Sequence, residues 1–317
     1  MTQSDIPPID PALADEERPD GASADATGPR PARWRKVLLH PGSLLAIGCV
    51  WLALAEGVPL ALAKEFWGQK GEFTGMLVEL AVALWLILAW KLYRRWIERS
   101  ADTELPLAGA LPEWAAGLAF GMVLFSAMTG MVALLGGIEV LGLRGLGRLW
   151  AMLGMAALSG VGEELLFRGV ILRQMEKMVG TWGALAFTSA FFGIAHLGNA
   201  GATWFAALAI ALEAGLLLGA AYLLTRRLWL AIGIHSGWNF TQGWIFSAPV
   251  SGGRAPPGLL ITQRHGPDWL TGGAFGLEAS AVAMVVATFA GVMLLRRVIR
   301  AGGIVPAPWV LRRQTKE

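Results

Sequence analysis

The chain has 317 residues, 55% of them hydrophobic and 15% charged, with a mean hydropathy of +0.54 and a formal net charge of +3. Soluble globular chains carry about 25% charged residues, so this is the composition of a membrane protein. The apolar content excludes a disordered chain, 41 glycines without a triplet period exclude a collagen, and a single cysteine, Cys49, precludes an internal disulfide.

The first 33 residues differ from the rest. They are rich in proline and carry Asp5, Asp10, Asp15, Glu16, Glu17, Asp20 and Asp25 against Arg18, Arg30 and Arg33. A disordered acidic tail over 1–36 is expected, and with no basic start before an apolar core it does not read as a removable signal peptide. Removing those seven acids and three arginines leaves 23 basic and 16 acidic residues. The remainder divides into a transmembrane domain over 37–300, with its polar motifs in 150–246, and a basic tail over 301–317.

Eight apolar stretches near the length needed to cross a bilayer, about 20 residues, succeed one another in chain order. They cover 44–63, 74–92, 114–135, 149–172, 182–197, 203–224, 228–246 and 275–295. Backbone amides in lipid need partners within their own segment, so an all-α polytopic helix bundle of about eight spans is expected. Basic residues gather at alternate ends: Arg33, Arg35 and Lys36 before the first span, then Lys91, Arg94, Arg95 and Arg99, Arg173 and Lys177, Arg226 and Arg227, and Arg296, Arg297 and Arg300. Lysine and arginine mark cytoplasmic loops, which predicts that both termini are cytoplasmic, although Arg144, Arg148, Arg254 and Arg264 dilute the pattern. Glycines four apart, Gly117 with Gly121, Gly215 with Gly219 and Gly233 with Gly237, are candidate helix crossings.

Function is sought among ionisable groups inside spans, because each is costly at depth unless paired or hydrated. The fourth span reads LSGVGEELLFRGVIL. Glu164 and Arg168 are one turn apart and can pair, while Glu163 points about 100° away toward another neighbour. The fifth span supplies His196, with Phe192 one turn earlier, and the seventh supplies His235 and Asn239 on one face. A shared polar cavity would satisfy all of these groups at once.

EELLFR, FGIAH and HSGWN resemble the EExxxR, FxxxH and HxxxN motifs of the CPBP family, the type II CAAX prenyl proteases and related bacteriocin-processing, Abi-like membrane proteins. The resemblance runs over roughly 160–240. It implies an intramembrane endopeptidase in a bacterial plasma membrane, with Glu163, Glu164, Arg168, Phe192, His196, His235 and Asn239 at the motif positions. It also implies membrane lipid and a peptide or lipidated protein as partners.

The chemistry can be read beside the family. Amide hydrolysis needs an activated water, a proton for the leaving amine and donors for the oxyanion. Glu163 is expected as general base with His196 as its partner, Glu164 and Arg168 as the pair that holds the helix, and His235 with Asn239 as the oxyanion site. A metal version uses the same groups, with Glu163, His196 and His235 as a His₂Glu zinc set and an open fourth position, although HExxH is absent. A serine dyad at Ser236 lacks a later intramembrane histidine, and the spans contain no aspartate for an aspartyl dyad. A transporter or proton relay, fed by the mid-span Glu213 and by Glu56, Glu79 and Glu278, and a noncatalytic scaffold or immunity protein stay open. No patch suited to nucleic acid is present.

One tension concerns depth. At 1.5 Å per residue Glu164 and His235 lie near 12–14 Å from the basic end, but His196 lies about 21 Å from Trp182. The depths agree if the fifth span starts in the cytoplasm or tilts, or if the fourth enters deeper. A cavity opening toward the cytoplasm is expected if the carboxylates lie on that side.

Overall fold

The computed structural model describes residues 33–67 and 71–314. The expected tail therefore lies outside the described residues up to position 32, and 33–36 begin helix α1 (Arg33–Leu38). The chain divides into a short N-terminal unit and a body, Leu38–Glu317.

The helices of the body are α2 (Pro41–Trp67), α3 (Glu72–Leu92), α4 (Ala110–Leu134), α5 (Leu149–Glu164), α6 (Arg173–Ala195), α7 (Trp204–Ile210), α8 (Leu216–Thr225), α9 (Trp229–Phe240), α10 (Asp268–Thr271), α11 (Ala281–Arg300) and α12 (Pro308–Gln314). Six continuous helical runs among the described residues are long and apolar enough to cross a membrane, against the eight expected. The difference has two sources. The fourth and fifth stretches lie in one 50-residue run, Leu149–Gly198, and α9, with 12 residues, is too short to count alone.

The long run is not straight. Gly180 leaves helical geometry at φ 74°, ψ 172°, a region open to glycine and strained for other residues. A Cβ there would stand 2.7 Å from the amide nitrogen of Ala307. The returning chain pins the break: Thr181 N–H donates to the Val305 carbonyl at 2.9 Å, and Val305 N–H donates to Thr181 Oγ1 at 2.8 Å. The last span also begins later than hydropathy suggests. Ser280 caps α11 by accepting from the Ala283 amide at 3.1 Å, so Glu278 stands in a short turn, Leu277–Ala279, ahead of the helix.

The all-helical expectation needs one addition. β1 (Ile138–Leu143) and β2 (Leu260–Arg264) form an antiparallel ribbon, from Ile138 opposite Arg264 to Leu143 opposite Leu260, with a bulge between Val140 and Gly142. Both strands are short segments of the loops between spans, where a hydropathy window has nothing to detect.

Two of the three glycine pairs build one crossing. A Cβ on Gly117 would meet the Leu230 carbonyl and, at 3.1 Å, Gly233 Cα; one on Gly121 would meet the Ile234 carbonyl; and Gly233 and Gly237 return the contact to Trp114 and Leu118. α4 and α9 thus touch backbone to backbone, as small residues permit. Gly215 makes the third contact, lying against Ser189.

The basic loops meet at one end of the body. Arg173 Nη1 bonds Glu98 at 2.8 Å and Gln174 joins the same carboxylate at 2.7 Å. Arg94 reaches Glu104 at 3.1 Å, Arg226 reaches Glu176 at 2.5 Å, and Arg227 reaches Glu113 at 2.7 Å. Burial of Trp90, Tyr93, Leu105, Leu165 and Leu228 beneath these pairs forms the core of that end. The ribbon and the segments joining α9 to α11 lie toward the other.

Candidate active site

The helices that carry the polar motifs are irregular there. Wide π-helical turns come after Glu164 (Leu165–Leu172) and Phe240 (Thr241–Ile245), and another, Ala211–Gly215, contains Glu213. Each inserts extra backbone per turn and shifts the facing of the side chains beyond it, a feature that recurs at functional sites.

Glu164 is the hub. It is fully buried, and its Oε1 accepts from Arg168 Nη1 at 2.7 Å and contacts His235 Nδ1 at 2.9 Å. Arg168, also fully buried, donates to the Ala214 carbonyl at 2.8 Å and lies over the Phe192 ring at 4.8 Å. The expected pair on one helix therefore forms, and it also clamps the segment around Glu213 and orients the first imidazole. His235 meets Glu164 directly and is not held only as an oxyanion donor. The residue lines a cavity, and Nε2 is its ring nitrogen not engaged by Glu164.

His196 is the first residue of the short turn ending at Gly198, just beyond α6. Its Nδ1 lies 2.7 Å from the Phe192 carbonyl. A carbonyl only accepts, so Nδ1 carries the hydrogen and Nε2 presents a lone pair. The Phe192 ring stands between the two imidazoles, 4.7 Å from His196 and 6.4 Å from His235. The helical stretch leading to His196 starts at the Gly180 break, where Thr181 is tied to Val305.

Asn239 donates Nδ2 to Ser159 Oγ at 3.0 Å, which ties α9 to α5. Glu163 is half-buried and makes no hydrogen bond among the described residues. Gly162 lies against the Glu56 carboxylate.

His196, His235 and Asn239 line one cavity of about 30 Å³, walled also by Phe192, Trp238, Glu213, Glu278 and Ser251. Glu163 and Glu164 do not line it; Glu164 reaches it through His235. Sequence reasoning offered Glu213 and Glu278 as acids that feed a transporter or proton-relay alternative, and it missed Ser251. The mid-span position of Glu213 was the signal available for the first. Ser251 and Glu278 belong to the segments joining α9 to α11, so these segments supply part of the cavity wall.

A zinc site would need Glu163, His196 and His235 around one point. Among the described residues no three His, Cys, Asp or Glu side chains come together to hold a metal ion. The residues do not fit that group, and the mechanism proposed for the chain uses none.

Fold and site define a class: a polytopic helical membrane protein with a buried carboxylate, guanidinium and imidazole cluster beside an internal cavity. Residues 145–241, under a third of the chain, match the profile described as type II CAAX prenyl endopeptidase Rce1-like. The matched segment contains all three motifs, so the chain carries a CPBP-family region, and that family is one of peptidases. No curated protein and no solved structure matches the chain.

Proposed function

We propose that the chain is an intramembrane endopeptidase of a bacterial plasma membrane, hydrolysing a peptide bond in a membrane-associated substrate, with a prenylated CAAX-type peptide as the substrate class. The observation that carries this reading is that Glu164 and Arg168 of EExxxR join His235 of HxxxN, which shares one cavity with Asn239 and with Phe192 and His196 of FxxxH. No observation favours a transporter or a scaffold.

In this mechanism Glu163, with its carboxylate unengaged, takes a proton from the attacking water, and His196 Nε2 positions that water through its lone pair. Glu164 compensates the positive charge that His235 acquires when Nε2 also carries a proton, so Nε2–H donates to the oxyanion together with the second Nδ2 hydrogen of Asn239. Arg168 holds Glu164 in place. We also assign the basic-loop end, and with it both termini, to the cytoplasm on the charge rule; substrate then enters laterally from the lipid or from the far side.

The test is cleavage of an internally quenched farnesyl-cysteine peptide by purified protein in liposomes. Glu163→Gln and His196→Ala should each lower turnover by at least about 10²-fold, as general acid–base groups do. Wild-type rates from either variant would overturn the reading.

A further inference from the structure

Two acidic groups in the cavity wall have no part in the mechanism above. Glu213, on the wide turn between α7 and α8, is 2% exposed, and its Oε2 is buried without a hydrogen-bond partner among the described residues. Glu278, also 2% exposed, lies within electrostatic range of Glu213 and of His235. Both line the cavity that holds His196, His235 and Asn239.

The two carboxyls are held differently. Glu278 accepts from the Ser251 backbone amide and from the Gln242 side chain, which is how a carboxylate is satisfied. Glu213 lines the same cavity and has an orphan oxygen among the described residues. A buried oxygen without a partner is expensive in a native structure unless something occupies it during function. Two carboxyls on the wall of one small cavity hold one proton between them more readily than two charges, and the one already accepting hydrogen bonds retains the charge. The proton therefore rests on Glu213, which lines the cavity.

We propose that Glu213 is the acid that protonates the leaving amine, with Glu278 as the positioning residue that keeps the proton on it; this rests on the peptidase reading above. Glu163 removes one proton from water as its oxygen bonds to the carbonyl carbon. The C–N bond breaks as nitrogen takes the Glu213 proton, giving the free amine and a new carboxyl group that retains the second water proton. Glu163 then returns its proton by exchange with solvent and Glu213 regains one, so the cycle closes with water consumed and no other reactant.

An amide leaves poorly unless its nitrogen is protonated, whereas an ester with a good leaving alcohol does not need that proton. The experiment compares the quenched farnesyl-cysteine peptide with its depsipeptide, which has an ester at the scissile position, in the same liposomes. Glu213→Gln should lower amide cleavage by at least about 10²-fold and leave ester cleavage within a few-fold of wild type, and Glu213→Asp should recover part of the amide rate. Ester turnover by the variant serves as its folding control. Equal losses on both substrates in folded protein, or no loss on the amide, would overturn the assignment. If Glu213→Gln yields no folded protein, Glu213→Leu and Glu213→Asp are judged on the same amide-to-ester ratio. Glu163→Gln should abolish both activities; wild-type protein that cleaves neither substrate would instead overturn the peptidase reading, and this assignment with it.

Discussion

Replacing Arg168 with methionine removes a guanidinium that is fully buried and bonded to Glu164 at 2.7 Å and to the Ala214 carbonyl at 2.8 Å. Glu164 would then be a buried carboxylate with only His235 beside it, its Oε2 being without a partner already. Breaking a buried pair from one side costs about 3–5 kcal/mol. Glu164→Gln costs a similar amount by stranding the guanidinium. The double variant carries neither charge and nearly the same volume, so its loss should fall short of the summed singles by about 2–4 kcal/mol. The assay is a double-mutant cycle on unfolding in detergent. Singles that add to the double within about 0.5 kcal/mol would mean that the two groups do not depend on each other, and the hub described for this site would be refuted.

Gly121→Val should destabilise by at least about 1–3 kcal/mol, since its side chain would be driven into the Ile234 carbonyl; Gly57→Val, at a position with open space, is the matched control, and equal melting midpoints would deny the crossing. Burial alone would raise the Asp102 carboxyl, but the Lys91 ammonium, the Trp90 indole N–H and the Leu105 amide outweigh it and hold the group below the usual carboxylate range. A depressed group stabilises above its unfolded value, about 3.9, and loses that contribution as pH falls through its folded one. Asp102→Asn should therefore cost about 1 kcal/mol at neutral pH, allowing for solvent screening, and the gap to wild type should close in acid; a gap constant with pH would contradict this. Extended dialysis against a chelator should leave cleavage of the quenched peptide unchanged, and activity lost and then restored by stoichiometric zinc would contradict the geometry of the donors.

How much of the fold and site was legible in the sequence depends on the distance over which each feature acts. The Glu164 and Arg168 contact is set by one turn of helix, and the α4 and α9 crossing by glycines at the same spacing, so both are visible in the letters. The contact of His235 with Glu164 joins residues 71 apart; the motifs suggested a meeting but not which imidazole would take the carboxylate. The break at Gly180 depends on Val305 returning to Thr181, and no window around GTWG contains that information. Glu278 read as a residue within the last span because Phe275 and Leu277 are apolar, whereas the Ser280 cap starts the helix after it. The wide turns at Leu165–Leu172 and Ala211–Gly215 leave no signature in hydropathy, which is why the orientation of Glu213 could not be foreseen.

The glycine seam has a consequence for access. With α9 pressed directly onto α4, the stretch bearing His235 and Asn239 has no slack to swing, so that side of the chamber is a fixed jamb. Movement that admits substrate is therefore expected in the walls that α9 does not supply; near His196, Phe191 and Trp204 are 42% and 76% exposed.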